Sequence, residues 1–194
     1  MGSLDLIVGC MFSGKSTELI RRCERYKIID KKVLFINSVK DTRAKTGFGV
    51  YKNFPLGHLT THQNKSIQCI QVDNLNKLLS EEVYKDWDVF GIDEGQFFSD
   101  LKPLVDLVNI HKKIVIISGL DGDYKQNVFG NIIHLIPQCD SITKLHALCK
   151  ICNDGTKGIF SRRMICEQSQ EMIGGKNEYI AVCRNHIDSK YSGE

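Results

Sequence analysis

One stretch of eight residues constrains the fold of this 194-residue chain more than any other: Gly9 to Ser16, with the sequence GCMFSGKS. It matches the pattern G-x-x-x-x-G-K-[ST], in which a glycine-rich turn points main-chain N–H groups into a concavity that binds phosphate. The apolar run Leu4–Val8 before it predicts a buried strand. The residues after it predict a helix with one apolar face, formed by Leu19, Ile20, Cys23 and Tyr26. Strand, loop and helix is the context that phosphate binding requires, so the motif predicts a nucleotide site.

Two acidic residues supply the second half of the predicted nucleotide site. Asp93 and Glu94 follow the apolar run Val89–Ile92, where a magnesium-organising carboxylate is expected after a phosphate loop. Lys15 would reach the β- and γ-phosphates, and Ser16 and Asp93 would serve Mg²⁺. Glu94 would act as a general base toward either water, as in an ATPase, or a substrate hydroxyl, as in a kinase. The pair by itself does not separate these two chemistries.

The charged segment 40–43 follows a second predicted strand, Val33–Asn37. In open α/β sheets, ligands bind at this end of the strands. Asp41 could add a carboxylate to the Mg²⁺ shell, and Arg43 could place a cation beside the transferring phosphoryl group. Taken alone, the segment fits a solvated charged turn equally well.

Strand-like and helical runs alternate through the first three quarters of the chain, which favours an α/β fold with a parallel sheet covered on both faces. The further strand-like runs are Ile67–Val72, Trp87–Ile92 and Ile114–Ser118. By contrast, the segment 44–65 contains glycines, a proline and scattered polar residues, and it predicts a long loop. From Leu148 the composition changes to cysteines, glycines and charges. We therefore expect a nucleotide-binding domain over 1–147 and a smaller metal-binding domain over 148–194.

Two short cysteine motifs predict a structural zinc site in the smaller domain. Cys149 and Cys152 form one C-x-x-C pair, and Cys183 and His186 form a C-x-x-H pair. Two such pairs are typical of tetrahedral zinc coordination, with an extended loop between them. Reduced core thiols or a single redox pair are the alternatives, and His146 is a possible substitute for His186. The remaining cysteines lack partner spacing and are interpreted as packing residues: Cys10, Cys23, Cys69, Cys139 and Cys166.

Charge and hydropathy exclude some classes of function. A net charge of +3 is too weak to predict nucleic-acid binding, and a solvated helix face accounts for Arg21, Arg22 and Arg25. The apolar run Leu4–Val8 is too short for a signal peptide, and no segment is long enough for a membrane span. We expect a cytoplasmic protein, in the host cytoplasm if it is viral, where the eight cysteines remain thiols or metal ligands.

With these residues assembled, the chain resembles the thymidine kinases of the cytosolic, zinc-containing type, which occur in animals, bacteria and large DNA viruses. The resemblance covers nearly the whole chain and rests on the order and spacing of several stretches: Met11–Thr17, Asp41–Arg43, Thr61–His62, Gly91–Phe98, Leu120–Gly122, Phe129–Gly130, Ile173–Gly175 and Tyr179. It implies a RecA-like P-loop domain, a zinc-ribbon-like domain with a lasso loop, and transfer of phosphate from ATP to the 5′-hydroxyl of thymidine, with deoxyuridine as a further acceptor.

The resemblance also implies roles for individual residues. The catalytic residues would be Glu94 as base, with Arg43 and Lys15. ATP and Mg²⁺ would be contacted by Gly9, Met11, Phe12, Ser13, Gly14, Lys15, Ser16, Thr17, Asp41, Asp93 and Gln96. Thymidine would be contacted by Met11, Phe97, Leu120, Tyr124, Phe160, Ser161, Arg163, Met172, Ile173, Gly174 and Tyr179. Zn²⁺ would be structural and held by Cys149, Cys152, Cys183 and His186.

The same resemblance implies a homotetramer inhibited by thymidine triphosphate, with no nucleic-acid or membrane partner. The chain departs from the family pattern where Cys10 replaces a common proline, His186 a cysteine and Tyr124 a phenylalanine, and where the segment 44–59 is longer. A rival interpretation is a P-loop ATPase whose zinc module binds nucleic acid or protein. That rival does not explain the ordered match of Phe97, Leu120, Tyr124 and Tyr179 to a nucleoside pocket.

Overall fold

A central eight-stranded sheet organises the computed structural model, which describes residues 1–41, 45–60, 66–165 and 178–188, without the side chains of 45–48 and 60. Its strands are β1 Ser3–Gly9, β2 Val33–Ser38, β3 Lys45–Tyr51, β4 Phe54–Thr60, β5 Ser66–Val72, β6 Val89–Ile92, β7 Ile114–Gly119 and β8 Ser141–Leu145. Across the sheet they run in the order β3-β4-β5-β2-β6-β7-β1-β8. The six strands from β5 to β8 in this order pair in parallel, which confirms the predicted parallel sheet.

Helices cover both faces of the sheet, as the alternation of strands and helices predicts. The helices are α1 Lys15–Lys27, α2 Lys77–Ser80 and α3 Lys102–Asn109. On one face, Val33 and Phe35 of β2 pack with α1, and on the other Leu34 and Ile36 pack with α3. Neighbouring residues of one strand thus enter opposite cores, because side chains alternate along a strand. None of the described helices combines the length and apolar character that a membrane span needs.

The prediction of a long loop over 44–65 is wrong, because β3 and β4 form an antiparallel hairpin that extends the sheet beyond β5. The chain turns at Lys52, whose φ is +51°. Gly49, with φ +131°, lies at a shift in the β3–β4 register. This glycine therefore marks a β-bulge inside a strand and not a loop. Phe54, only 2% exposed, anchors the hairpin in the sheet core.

Four short strands follow the main sheet. β9 Ala147–Leu148 pairs with β10 Lys157–Gly158, and β11 Phe160–Arg163 pairs with β12 Tyr179–Val182, both in antiparallel fashion. A small buried cluster holds this metal-side unit (147–165 and 178–188) together, and its buried members are Cys149, Val182 and Cys183. A second cluster of Cys10, Ala147 and Ala181, with Phe12 packed against it, joins the unit to the loop after β1.

Candidate functional site

The loop between β1 and α1 has a backbone that its glycines make possible. Gly9 has φ +150°, and a Cβ there would lie 2.3 Å from the Leu145 carbonyl oxygen at the end of β8. Gly14 has φ +84° and precedes the first residue of α1, with open space where a Cβ would stand. Phe12 also adopts a positive φ, +63°. This tight turn brings the loop to the N-terminus of α1, where main-chain N–H groups and the helix dipole favour phosphate.

Lys15 is buried beneath this loop. Its ammonium donates a hydrogen bond of 2.6 Å to the Cys10 carbonyl oxygen, so the side chain folds back across the loop. Burial lowers the pKa of Lys15, and the negative charges of Glu94 and Asp93 oppose that shift. The lysine predicted from the motif thus lies beside the two predicted carboxylates.

Asp93 and Glu94 are buried where β6 ends. The Asp93 main-chain N–H donates to the Ile36 carbonyl of β2, which fixes the start of the turn. Ser118, near the end of β7, donates its hydroxyl proton to Asp93 Oδ1. Glu94 has φ +53°, a left-handed backbone that is uncommon for residues other than glycine and is frequent at functional sites. The sequence pattern does not single out Ser118, although a polar residue near the end of an apolar strand was a signal for it.

Asp41 is buried at the neighbouring end of β2. Asn37 Nδ2 donates to its carboxylate at 3.0 Å. Asp93 and Asp41 both act on the Cys69 thiol, because burial, together with these two negative charges, raises the pKa of Cys69 to about 12. The structure therefore brings Asp41 to the same sheet edge as Asp93. Arg43 lies outside the described residues.

Aromatic residues and one arginine line the side of this edge that faces the metal-side unit. The Arg163 guanidinium stacks on the Tyr124 ring at 3.9 Å and donates to the Tyr179 hydroxyl at 2.6 and 3.0 Å. Phe97 meets Phe129 edge-to-face, with ring centroids 6.1 Å apart. Tyr124 and Tyr179 are thus joined through Arg163, a connection that their separate positions in the sequence do not reveal.

The phosphate loop contacts the metal-side unit directly. The Met11 main-chain N–H donates to Ser161 Oγ at 2.9 Å, and Cys10 Sγ–H donates to the Gly158 carbonyl at 3.2 Å. Phe160, by contrast, packs with Ile151 in the metal-side cluster. Of the predicted substrate contacts, Met11 and Ser161 are therefore neighbours, whereas the Phe160 ring packs among metal-side residues.

The four predicted metal ligands converge. The donor atoms of Cys149, Cys152, Cys183 and His186 lie within 4.8 Å of one another. His186 Nδ1 is 3.3 to 3.6 Å from each of the three sulfurs. Burial raises the pKa of the Cys149 thiol, but hydrogen bonds from main-chain N–H groups and His186 outweigh it and lower the value to about 6. Three sulfurs and one imidazole nitrogen at this spacing fit tetrahedral Zn²⁺.

His146 is not part of this cluster, since its Nδ1 lies 3.3 Å from the Ala147 carbonyl oxygen. Several residues predicted for the site or its lid lie outside the described residues: Thr61, His62, Met172, Ile173 and Gly174. Cys166 lies outside them as well.

A glycine-rich turn that matches the phosphate-binding pattern, a buried lysine and two buried carboxylates at one sheet edge are typical of the α/β enzymes of phosphoryl transfer. Comparison with known proteins identifies the family. The sequence model described as "Thymidine kinase" matches residues 2–187. The thymidine kinase of Yaba monkey tumor virus is 42% identical over 183 residues, which cover 94% of this chain and 93% of the viral protein. Thymidine kinase 1 of Dictyostelium discoideum is 38% identical over 188 residues, 97% of this chain and 78% of that protein. The chain belongs to the thymidine kinase family.

Proposed function

We propose that the protein transfers the γ-phosphoryl group of ATP to the 5′-hydroxyl of thymidine, and of deoxyuridine, in pyrimidine deoxynucleotide salvage. One observation carries the proposal: in a chain of this family, buried Glu94 and Lys15 interact at the sheet edge, and the Glu94 main chain accepts a hydrogen bond from Phe97, a predicted nucleoside contact. A carboxylate at this place serves a hydroxyl acceptor as well as water, and the adjoining pocket favours the hydroxyl.

The loop residues would hold the nucleotide. Main-chain N–H groups at the start of α1 support binding of the phosphates, together with the side chains of Ser13 and Thr17. Ser16, Asp93 and Asp41 offer the oxygen ligands that Mg²⁺ prefers. When bound, Mg²⁺ supplies positive charge that neutralises the developing negative charge on the phosphate oxygens. Ser118 would fix the orientation of Asp93, since its hydroxyl donates to Oδ1.

In the proposed step, Glu94 accepts the proton of the 5′-hydroxyl as the nucleoside oxygen forms its bond to the γ-phosphorus. The bond between that phosphorus and the β–γ bridging oxygen breaks, and ADP leaves with the electron pair. Lys15 would stabilise the transferring group through its ammonium charge, and Arg43 would add a second cation. Such transfer depends mainly on positioning and charge, and buried groups serve both because water does not screen them.

Thymidine would lie between Phe97, Leu120 and Tyr124, with Tyr179 at the sugar. Two Arg163 donors orient the Tyr179 hydroxyl, and the family resemblance supports its contact with the sugar 3′-hydroxyl. The segment between the two metal knuckles would close over the base and exclude water from the γ-phosphate.

Zn²⁺ would be structural, because its four ligands complete a tetrahedral shell. We further propose a RecA-like P-loop domain over 1–147 and a zinc domain over 148–194. The family resemblance supports a homotetramer and inhibition by thymidine triphosphate. Thiolate ligands require a reducing compartment, which supports a cytoplasmic location.

The decisive experiment measures ADP release by the purified protein with Mg²⁺-ATP and thymidine, deoxyuridine, deoxycytidine, thymidine monophosphate or no acceptor. We expect ADP formation that depends on thymidine, with thymidine monophosphate recovered as product. ATP hydrolysis that ignores every nucleoside but responds to nucleic acid would favour the ATPase interpretation instead.

A further inference from the structure

The side chain of Gln96 is held at both ends by protein groups. It belongs to the 3₁₀ turn Gly95–Phe97, directly after Glu94, and is only 3% exposed. Its Oε1 accepts the Leu120 main-chain N–H at 2.9 Å, and its Nε2 donates to Glu94 Oε2 at 2.6 Å. A residue predicted to contact ATP or Mg²⁺ therefore bridges the proposed base and the wall of the nucleoside pocket.

The chemistry of the Leu120 contact fixes the orientation of this amide. A main-chain N–H can only donate, so the atom of Gln96 that faces Leu120 is the carbonyl oxygen. The other end of the amide is then the NH₂ group, which faces Glu94. The amide therefore donates to Glu94 Oε2 at 2.6 Å, which fixes where this carboxylate oxygen lies.

Two glycines leave the room that Gln96 occupies. A Cβ on Gly119 would lie 2.6 Å from Gln96 Oε1, and a Cβ on Gly130 would lie 2.2 Å from the Gln96 carbonyl oxygen. Real Cβ atoms do not approach other atoms so closely, so either substitution would displace Gln96. Gly119 is the last residue of β7. A side chain there would collide with the Gln96 amide, which explains the glycine at this position.

We propose that Gln96 is a positioning residue that holds the Glu94 carboxylate in place and ties it to the main chain of Leu120, one of the residues proposed to contact the nucleoside. The inference rests on the proposed role of Glu94 as base. Glu94 has a left-handed backbone, which its surroundings must maintain. The Gln96 bridge is one such restraint, because it joins the end of β6 to the end of β7.

The principal test compares Gln96→Leu with the wild-type enzyme in the full-length protein. Leucine fills a similar volume but removes both hydrogen bonds. We expect kcat to fall about ten- to a hundredfold, since misplacement of a reacting group has effects of that size. KM for ATP and thymidine should stay within about threefold, because binding contacts are retained.

The split between kcat and KM supplies a readout that a general loss of structure would not give. Loss of structure weakens thymidine binding and lowers the fraction of active enzyme. A misplaced Glu94 carboxylate instead lowers kcat and leaves thymidine binding unchanged.

Gly119→Ala provides an independent test that leaves the Gln96 side chain in place. The added methyl group should push Oε1 away from Leu120 and reproduce the lower kcat at nearly unchanged KM. Gln138→Leu, at an exposed position, makes the same chemical change elsewhere and should behave as wild type. Thermal unfolding and thymidine binding without ATP establish that each variant is folded.

Different results test the positioning role of Gln96 and the base role of Glu94 on which it rests. If Glu94→Gln loses turnover while Gln96→Leu keeps wild-type kcat, Gln96 does not position Glu94. A tenfold rise in the KM for ATP at unchanged kcat would instead make Gln96 a nucleotide contact and overturn the inference. If Glu94→Gln itself keeps full turnover, the base assignment fails, and the positioning role fails with it.

Discussion

The main sheet and the metal-side unit position their functional groups by different means. Lys15, Asp93 and Glu94 follow strands that are buried on both faces and locked by hydrogen bonds to parallel neighbours. The metal-side strands β9 to β12 have only two to four residues each, and their buried cluster includes two of the four predicted metal ligands. A large apolar core gives the first region its geometry, whereas the second depends on four ligand side chains.

These two regions nonetheless meet at the phosphate loop. Met11 donates to Ser161, and Cys10 packs with Ala147 and Ala181. A change in the metal-side unit should therefore reach the nucleotide site through this junction, whereas the sheet should keep its fold without the metal.

The largest effect is expected from Glu94→Gln, which leaves the sheet intact and removes the proposed base. We expect kcat to fall by about 10²- to 10⁴-fold, the usual contribution of general base catalysis. Steady-state kinetics measures the loss, and circular dichroism should show an unchanged fold. Glu82→Gln, at an exposed position, is the matched control. Undiminished turnover by Glu94→Gln would show that this carboxylate is not the base.

Removal of the metal should disrupt the metal-side unit and leave the main sheet folded. Cys183→Ser, or chelation, should unfold the metal-side unit and raise the KM for thymidine at least tenfold, because metal binding and folding of such small units are coupled. Hydrogen exchange should increase in 147–165 and 178–188 but not in β1, β6 and β7. Elemental analysis must confirm metal loss. Metal-free protein with normal thymidine kinetics would contradict the structural role.

A smaller loss is expected within the sheet region from Ser118→Ala. Without the hydroxyl that donates to Asp93, the carboxylate loses its orientation. Loss of a group that orients a metal ligand typically lowers metal affinity about 10- to 100-fold, so the Mg²⁺ concentration for half-maximal activity should rise. Magnesium titration at saturating ATP measures this directly. Ser118→Thr retains a hydroxyl, and recovery in that variant would link the defect to the lost hydrogen bond.

The junction between the regions is tested by Ser161→Ala. The partly buried Met11 N–H then lacks its acceptor, which costs at most about 1 to 3 kcal/mol. We expect the KM values for both ATP and thymidine to rise severalfold at similar kcat. Cys10→Ala removes the weaker S–H bond and should have less effect. If only the KM for thymidine changes, the contact between Met11 and Ser161 does not affect the binding of ATP.

The smallest effect concerns the exposed side of α1. Bonds from Arg21 and Arg22 lower the pKa of Glu18 to about 2. Because this carboxylate pKa is depressed, the associated stability is present above its ordinary value near 4.5 and is lost as pH falls toward 2. Glu18→Gln should therefore destabilise the fold by about 0.5 kcal/mol at pH 7. Denaturant unfolding should show this difference disappear near pH 2, and kinetics should not change.

Local patterns in the sequence predict much of this molecule. The loop Gly9–Ser16, the strand before it and α1 follow from residues that are adjacent in the chain. The ligand pairs 149/152 and 183/186 are likewise readable, because C-x-x spacing lets two side chains of one turn face one ion. The segment 44–65 shows the limit: its glycines and proline match a loop, but the pairing of β3 with β4 and of β4 with β5 makes residues 45–60 part of the sheet.

The sequence by itself determined which chemical groups the protein carries and which of them lie at the ends of predicted strands. Only the tertiary structure decided their partners. Ser118 reaches Asp93 across 25 positions, Leu120 reaches Gln96 across 24, and Met11 reaches Ser161 across 150. Such contacts leave no periodic signal, because a hydrogen bond between distant residues depends on strand order and on the space that residues such as Gly119 leave open.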